Sequence, residues 1–255
     1  MKPPIKISAV SYLNTKPFLY GLFQSELEDS IDLSLDMPSE CARKLISGEV
    51  DLGLIPVAVI PQIKTPHIIS DFCIGTEGAV KTVCIYSNCP IEEMTHLYLD
   101  YQSRTSVALT RYLIANYWKI NPQFINAKAG FEDQIKGTTG ALIIGDRTID
   151  MAVSYPYVYD LGEIWKKHTR LPFVFAAWVS NVELPPSFLA AFQEALKVGI
   201  EKRHQVAQLF QSSYLNFSVH DYYHKYIDYE LTQEKRQALN LFLNYIEPKR
   251  EALES

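Results

Sequence analysis

The chain has 255 residues, 47% hydrophobic and 21% charged, enough to bury a substantial core as one large domain or two of ordinary size. A net charge of −5 with no basic stripe excludes nucleic acid as an expected partner, although a pocket on an acidic protein can still be locally positive and take an anion. No stretch approaches the ~20 consecutive apolar residues of a membrane span. The apolar run after Met-Lys-Pro-Pro is too short for a secretory signal and is broken by Lys6 and Ser8, so a cytoplasmic protein is expected.

Ile5–Val10 reads as a strand that turns abruptly into small, hydroxylated and amide side chains, Ser11, Tyr12, Asn14 and Thr15. Lys16 follows, and Pro17 suits the first turn of a helix over Thr15–Leu27, where its missing N–H is not needed. In open α/β folds ligands bind where a strand's carboxyl end meets unsatisfied helix N–H groups, which makes Asn14 the foremost candidate. Ile31–Asp36 alternates as a half-buried strand does. A helix from Pro38 to Ser47 with Gly48 as its cap, and a strand at Asp51–Ile55 running into a helical turn at Pro56, complete a βαβαβ series.

His67–Ile74 reads as extended, and Ala79–Ser87 as a strand after the turn at Gly75–Gly78. A second series follows. Its strands are His96–Leu99, Gln123–Asn126 and Ala141–Ile144, its long helix is Arg104–Trp118 behind Ser103 as N-cap, and a further helix spans Asp160–His168. Phe173–Ser180 is strongly β-favouring. The rest reads as helical: Pro185-Pro186 to Phe210, Val219–Tyr226 and Thr232–Tyr245, then a polar tail, Pro248–Ser255.

The pattern is α/β, two βαβ lobes joined by two crossing strands, Ala79–Ser87 and Phe173–Ser180, with a ligand cleft between them. Lobe 1 is expected from residues 1–86 plus 181–255 and lobe 2 from 87–180. The four cysteines form no CxxC and the six histidines no HExxH, so buried thiols and no metal site are expected.

Five segments together resemble the chorismate dehydratases of the futalosine route to menaquinone: Ser11–Pro17 (SYLNTKP), Gly48–Pro56 (GEVDLGLIP), Leu97–Leu109 (LYLDYQSRTSVAL), Leu142–Asp146 (LIIGD) and Asp160–Val179 (DLGEIWKKHTRLPFVFAAWV). The resemblance spans roughly residues 5–180. It implies the type II periplasmic-binding-protein fold and removal of water from chorismate to give 3-[(1-carboxyvinyl)oxy]benzoate. A sister enzyme of that route has an SPCPND-like segment where this chain has SYLNTKP.

A dicarboxylate substrate needs anion partners, and the two helix starts offer N–H groups, hydroxyls and a cation each. Ser11, Tyr12, Asn14, Thr15 and Lys16 stand at one, and Ser103, Arg104, Thr105 and Ser106 at the other. Helix capping competes for the hydroxyls, surface ion pairing for Arg104, and an Asx-turn for Asn14. Thr82 stands where the resemblance often has Ser, and whether it faces the cleft depends on a strand parity left open. Asn14 and Thr82 are the expected catalytic pair. Neither a nucleotide-binding glycine motif nor a general base is evident. No cofactor is expected, and the substrate's own side-chain carboxylate is the candidate proton acceptor. A solute-binding protein of the same fold is the rival; it would normally carry a secretion signal.

Overall fold

The computed structural model describes residues 3–149, 151 and 155–246. The polar tail expected at Pro248–Ser255 lies outside them. The first sheet has the order β11-β4-β10-β3-β1-β2, with β1 Ile5–Val10, β2 Ile31–Asp36, β3 Leu52–Pro56, β4 His67–Thr76, β10 Phe173–Ser180 and β11 Asp228–Glu230. The second has the order β7-β6-β8-β5-β9, with β5 Val83–Ser87, β6 His96–Leu99, β7 Gln123–Asn126, β8 Thr139–Ile144 and β9 Tyr157–Asp160. Each sheet is mixed. β1 runs parallel to β2 and β3, while β10 is antiparallel to β3 and β4. β6 runs parallel to β7 and β8, while β5 is antiparallel to β8 and β9. Burial on both faces explains why β3 (LGLIP) and β10 (FVFAAWVS) read as unbroken apolar runs.

Helices cover the sheets: α1 Lys16–Phe23, α2 Pro38–Ile46, α3 Arg104–Leu113, α4 Leu161–Thr169, α5 Pro186–Glu201, α6 Arg203–Gln211, a one-turn α7 Val219–Asp221 and α8 Gln233–Ile246. Two expected long helices are broken. α3 stops at Leu113 and continues as a wide π turn, Ile114–Trp118, which ends at Lys119 in a left-handed conformation and brings Trp118 edge-on to Tyr159. The helix expected from Pro185 to Phe210 divides at Lys202, where the Arg203 guanidinium donates to the Ile200 carbonyl at 3.0 Å. β9 is a short edge strand with no alternation to betray it.

The chain leaves the first sheet after Thr76 and returns to it at Phe173. The strand expected from Ala79 begins only at Val83. Lys81 sits at φ 69°, and the Val80 and Lys81 N–H groups donate to the Asp160 carboxylate, at 2.9 and 2.7 Å, instead of to a neighbouring strand. The same carboxylate caps α4 by accepting from Gly162 and Glu163 N–H, so one side chain ties the first crossing to the start of α4. β10, grouped from the sequence with residues 87–180, pairs on both sides with first-sheet strands, and Val83–Ser87 pairs only within the second.

The four cysteines are free and buried. Among the described residues no helix is long and apolar enough to cross a membrane, and no group of three or more His, Cys, Asp or Glu could hold a metal ion. One buried charge ties the C-terminal helix down. Lys235, its side chain wholly inaccessible, reaches the Asp228 carboxylate at 2.7 Å and the Asp228 and Glu230 carbonyls at 3.1 and 2.6 Å. Lys235→Met keeps the bulk but takes a donor from three acceptors, of which the carboxylate is partly solvated and the two carbonyls keep only the weak Cys73 thiol. A loss of about 2 kcal/mol is expected, read as a lower urea midpoint at unchanged slope.

Candidate active site

Where β1, β3 and β8 end, the segment Val80–Val83, β10 and the start of α3 converge on a small cavity of about 60 Å³. Its walls are mostly apolar, from Val10, Pro38, Pro56, Ile74, Ile144 and Phe175 among others. The polar side chains facing it are Tyr12, Asn14, Thr82, Ser103 and Ser106. Among the described residues no Lys, Arg, Asp, Glu or His lines it. Ser103 also lines an open groove of about 490 Å³ that carries Arg104 and Arg111.

The first helix start is divided by role. Asn14 and Tyr12 reach the cavity; Ser11, Thr15 and Lys16 do not line it. Ser11 N–H donates to the Asp36 carbonyl. Thr15, fully buried, donates from its hydroxyl to Asn14 Oδ1 at 3.2 Å and so orients the amide. Lys16 Nζ lies 5.6 Å from the Phe210 ring centre, a cation–π contact away from the cavity. Tyr12 donates its hydroxyl to Gln102 Oε1, and its ring occupies the space a Cβ on Gly145 would need, at φ 73°. Burial, and then the Asp100 charge, push the Tyr12 phenol well above its ordinary value, so it stays neutral.

At the second start, Ser103 is the N-cap of α3, accepting the Ser106 N–H at 3.0 Å and donating to Ser106 Oγ at 3.0 Å. Since Ser106 Oγ accepts that bond, its own proton is free to point into the cavity. Thr105 is spent on structure, its Oγ1 accepting the Ala58 N–H at 3.1 Å. Arg104 is exposed and stands in the outer groove. Thr82 lines the cavity, 2% exposed, with its Oγ1 2.8 Å from the Tyr222 hydroxyl.

Residues outside the candidate site set hold this constellation still. The Asp146 carboxylate accepts the Leu13 N–H at 3.0 Å and the Tyr214 hydroxyl at 3.4 Å, bridging the end of β8 to the Asn14 turn. Burial raises its pKa. Asp100 accepts the Gln102 and Ile144 N–H groups and pairs with Arg147. From the C-terminal segment, Tyr223 donates to the Leu13 carbonyl at 2.9 Å and Tyr229 to the Asn14 carbonyl at 3.0 Å. Tyr222 begins a π turn, Tyr222–Tyr226, the kind of helical irregularity often found beside functional sites. The one signal in the sequence was density: five tyrosines fall between residues 214 and 229.

A family model described as menaquinone biosynthesis matches residues 5–248. The chain belongs to that family. Its sequence is 29% identical over 192 residues to the chorismate dehydratase of Thermus thermophilus, covering 68% of this chain and 70% of that one. In fold it is similar to a protein of Archaeoglobus fulgidus, with a TM-score of 0.72 at 13% identity over 98% of each chain. A Candida albicans protein described as having the generic periplasmic binding protein fold matches at a TM-score of 0.58 and 14% identity, over 94% of this chain and 90% of that one. The periplasmic aliphatic sulphonate binding protein SsuA of Escherichia coli matches at 0.56 and 16%, over 98% and 94%. This family member therefore has the periplasmic-binding-protein-like fold expected from its sequence, and the fold neighbours speak to architecture alone.

Proposed function

We propose that this chain is a cytoplasmic chorismate dehydratase, a hydro-lyase that converts chorismate to 3-[(1-carboxyvinyl)oxy]benzoate for menaquinone biosynthesis. The observation that carries the reading, beside the family and the Thermus thermophilus relative, is the character of the cavity. It sets hydrogen-bonding groups, Asn14, Thr82, Ser103 and Ser106, in apolar walls, and among the described residues the lone titratable side chain facing it is the neutral Tyr12. That suits a reaction whose driving force, aromatisation of the ring, lies in the substrate.

The ring hydroxyl departs with its bonding electrons. A neighbouring C–H bond supplies the new ring π bond, its proton goes to the substrate's side-chain carboxylate, and that proton and the departing hydroxide leave together as one water. The protein supplies position and hydrogen bonds to the departing oxygen and to the carboxylates. The first turn of α3 with Ser106 is the proposed partner of one carboxylate, and the Asn14 turn of the other. In the same reading the two sheets are the two lobes, and the crossings near Lys81 and Pro172 flex to admit the substrate. Lys16 and Arg104 then act at a distance, on the field at the rim, and Ser11 and Thr15 as supports of the turn.

Mixing the purified protein with chorismate tests this. Loss of the chorismate ultraviolet spectrum and a product lighter by one water are expected, without added cofactor. An unchanged spectrum alongside tight binding of another small solute would favour the solute-binding reading.

A further inference from the structure

We propose that the open groove beside the cavity is a second binding site, an outer dock in which a ring bearing two carboxylates lies between Arg104 and Arg111 before it moves inward. The inference rests on the dehydratase reading, which supplies a doubly charged substrate, and adds to it a place and a residue, Arg111, that neither helix start contains. Groove and cavity share Ser103, and the groove is much the larger, about 490 Å³ against 60 Å³. The smaller volume has room for a few waters, whereas the larger lies in the range of small-molecule sites. As the walls stand, a ring dicarboxylate fits the groove and not the cavity.

The shape of the groove follows from α3. Arg104, Val107, Ala108 and Arg111 all line it, at the i, i+3, i+4, i+7 spacing of a single helix face. Seven residues of helix set the two arginine backbones about 10 Å apart, with the small apolar side chains of Val107 and Ala108 between them. Pro61 and Ile246 add apolar surface from other elements. An apolar middle with a cation at each end matches a ring with carboxylates on opposite sides.

Charge points the same way. Arg43, Arg147 and Arg236 each hold a carboxylate. Among the described residues Arg104 and Arg111 hold none, on a chain whose net charge is −5. In the same set of residues the one carboxylate in the groove lining is Asp100. Its side chain is inaccessible and engaged by Arg147 and by the Gln102 and Ile144 N–H groups. Arg111 lies over the Phe124 ring, 4.3 Å from its centre, which fixes the guanidinium plane and leaves its N–H edge open to a carboxylate. Burial lowers the Arg111 pKa, yet an arginine stays charged, and partial drying strengthens its hold on an anion.

Isophthalate, benzene-1,3-dicarboxylate, is the probe, a ring with two carboxylates and nothing to eliminate. Calorimetric titration at low salt is expected to show one site with a Kd of about 1 mM. Arg111→Gln should weaken it at least about tenfold, and Arg111→Lys, which keeps the charge but loses the fork, about threefold or more. Both arginines are exposed, so the variants should fold. Benzoate, with one carboxylate, should bind about tenfold more weakly than isophthalate. Asn14→Ala alters the cavity and should leave isophthalate binding within about twofold. A loss in Asn14→Ala as large as in Arg111→Gln would put the ring in the cavity and overturn the dock. Unchanged binding in Arg111→Gln, benzoate binding as tight as isophthalate, or no saturation at all would overturn it too.

With chorismate, the Arg104→Gln, Arg111→Gln pair is expected to keep kcat within about twofold and to lose about tenfold in kcat/KM at low salt, a gap that closes near 0.5 M sodium chloride. A wild-type kcat/KM in that pair would remove the groove from substrate capture. Wild-type turnover decides the dehydratase reading by itself, and the isophthalate titration needs no turnover, so the failure of one is distinct from the failure of the other.

Discussion

Asn14→Ala is expected to lower kcat on chorismate about 100- to 1000-fold, the range found when one donor is removed from a site that stabilises developing oxygen charge. The fold should survive the change, because the backbone at this turn is held by other groups. Asp146 accepts the Leu13 N–H, Tyr223 donates to the Leu13 carbonyl, and Tyr229 donates to the Asn14 carbonyl. The substitution deletes a partly exposed side chain whose hydrogen-bond partner is the Thr15 hydroxyl. A cost of about 1 kcal/mol, or roughly 2–4 °C in melting temperature, follows from that lost bond. Steady-state kinetics beside a thermal melt separate the two effects. Asn14→Asp sharpens the test: it keeps the shape but, once ionised, offers acceptors where the departing oxygen needs a donor, and should be at least as damaging as alanine. Full turnover in either variant would remove Asn14 from the chemistry.

Asn14 could be placed at the cavity from the sequence and the Tyr222–Thr82 contact could not, for one reason. A strand that ends in polar residues before a Pro-initiated helix is a local pattern, and β1, the Asn14 turn and α1 are contiguous in sequence. The Tyr222 hydroxyl meets Thr82 across 140 residues, and no periodicity encodes that pairing. The parity at Thr82 was illegible for the same reason. What breaks the strand is Lys81 at φ 69°, with Val80 and Lys81 N–H groups drawn to Asp160, about eighty positions away. At the second helix start, residue type alone could not divide the labour among three hydroxyls. Ser103 caps, Thr105 ties α3 to the segment after β3, and Ser106 keeps a proton for the cavity. The two cations, Lys16 and Arg104, looked like natural partners for an anion. Long side chains follow the nearest apolar surface or solvent, however, and these two lie on the Phe210 ring and in the outer groove. The fold class was legible because it rests on long-range repetition of short patterns, β-α-β twice over, which the two mixed sheets carry out.

Gly199→Ala is expected to be the most damaging small substitution for stability, and it bears on the site through α1. A Cβ at Gly199 would fall 1.9 Å from the Pro17 carbonyl oxygen, and one at Gly21 would fall 1.9 Å from the Ala195 carbonyl oxygen. The two glycines face each other where α1 crosses α5, so backbone meets backbone with no side chain to yield. Alanine ordinarily favours a helix interior by about 1 kcal/mol over glycine. Here that gain is outweighed, since the helices must separate and uncover the buried Phe18, Leu22 and Leu196 around the contact. A net loss of about 3 kcal/mol is expected, or roughly 6–12 °C in melting temperature. Gly78→Ala is the control. A Cβ there meets nothing within 4 Å and its φ is not left-handed, so the change should be neutral or slightly stabilising. Because α1 begins two residues after Asn14, whatever part of the Gly199→Ala protein stays folded at 25 °C should also turn over chorismate more slowly. A folded variant with wild-type kcat would show that the Asp146, Tyr223 and Tyr229 bonds hold the Asn14 turn without help from the helix behind it.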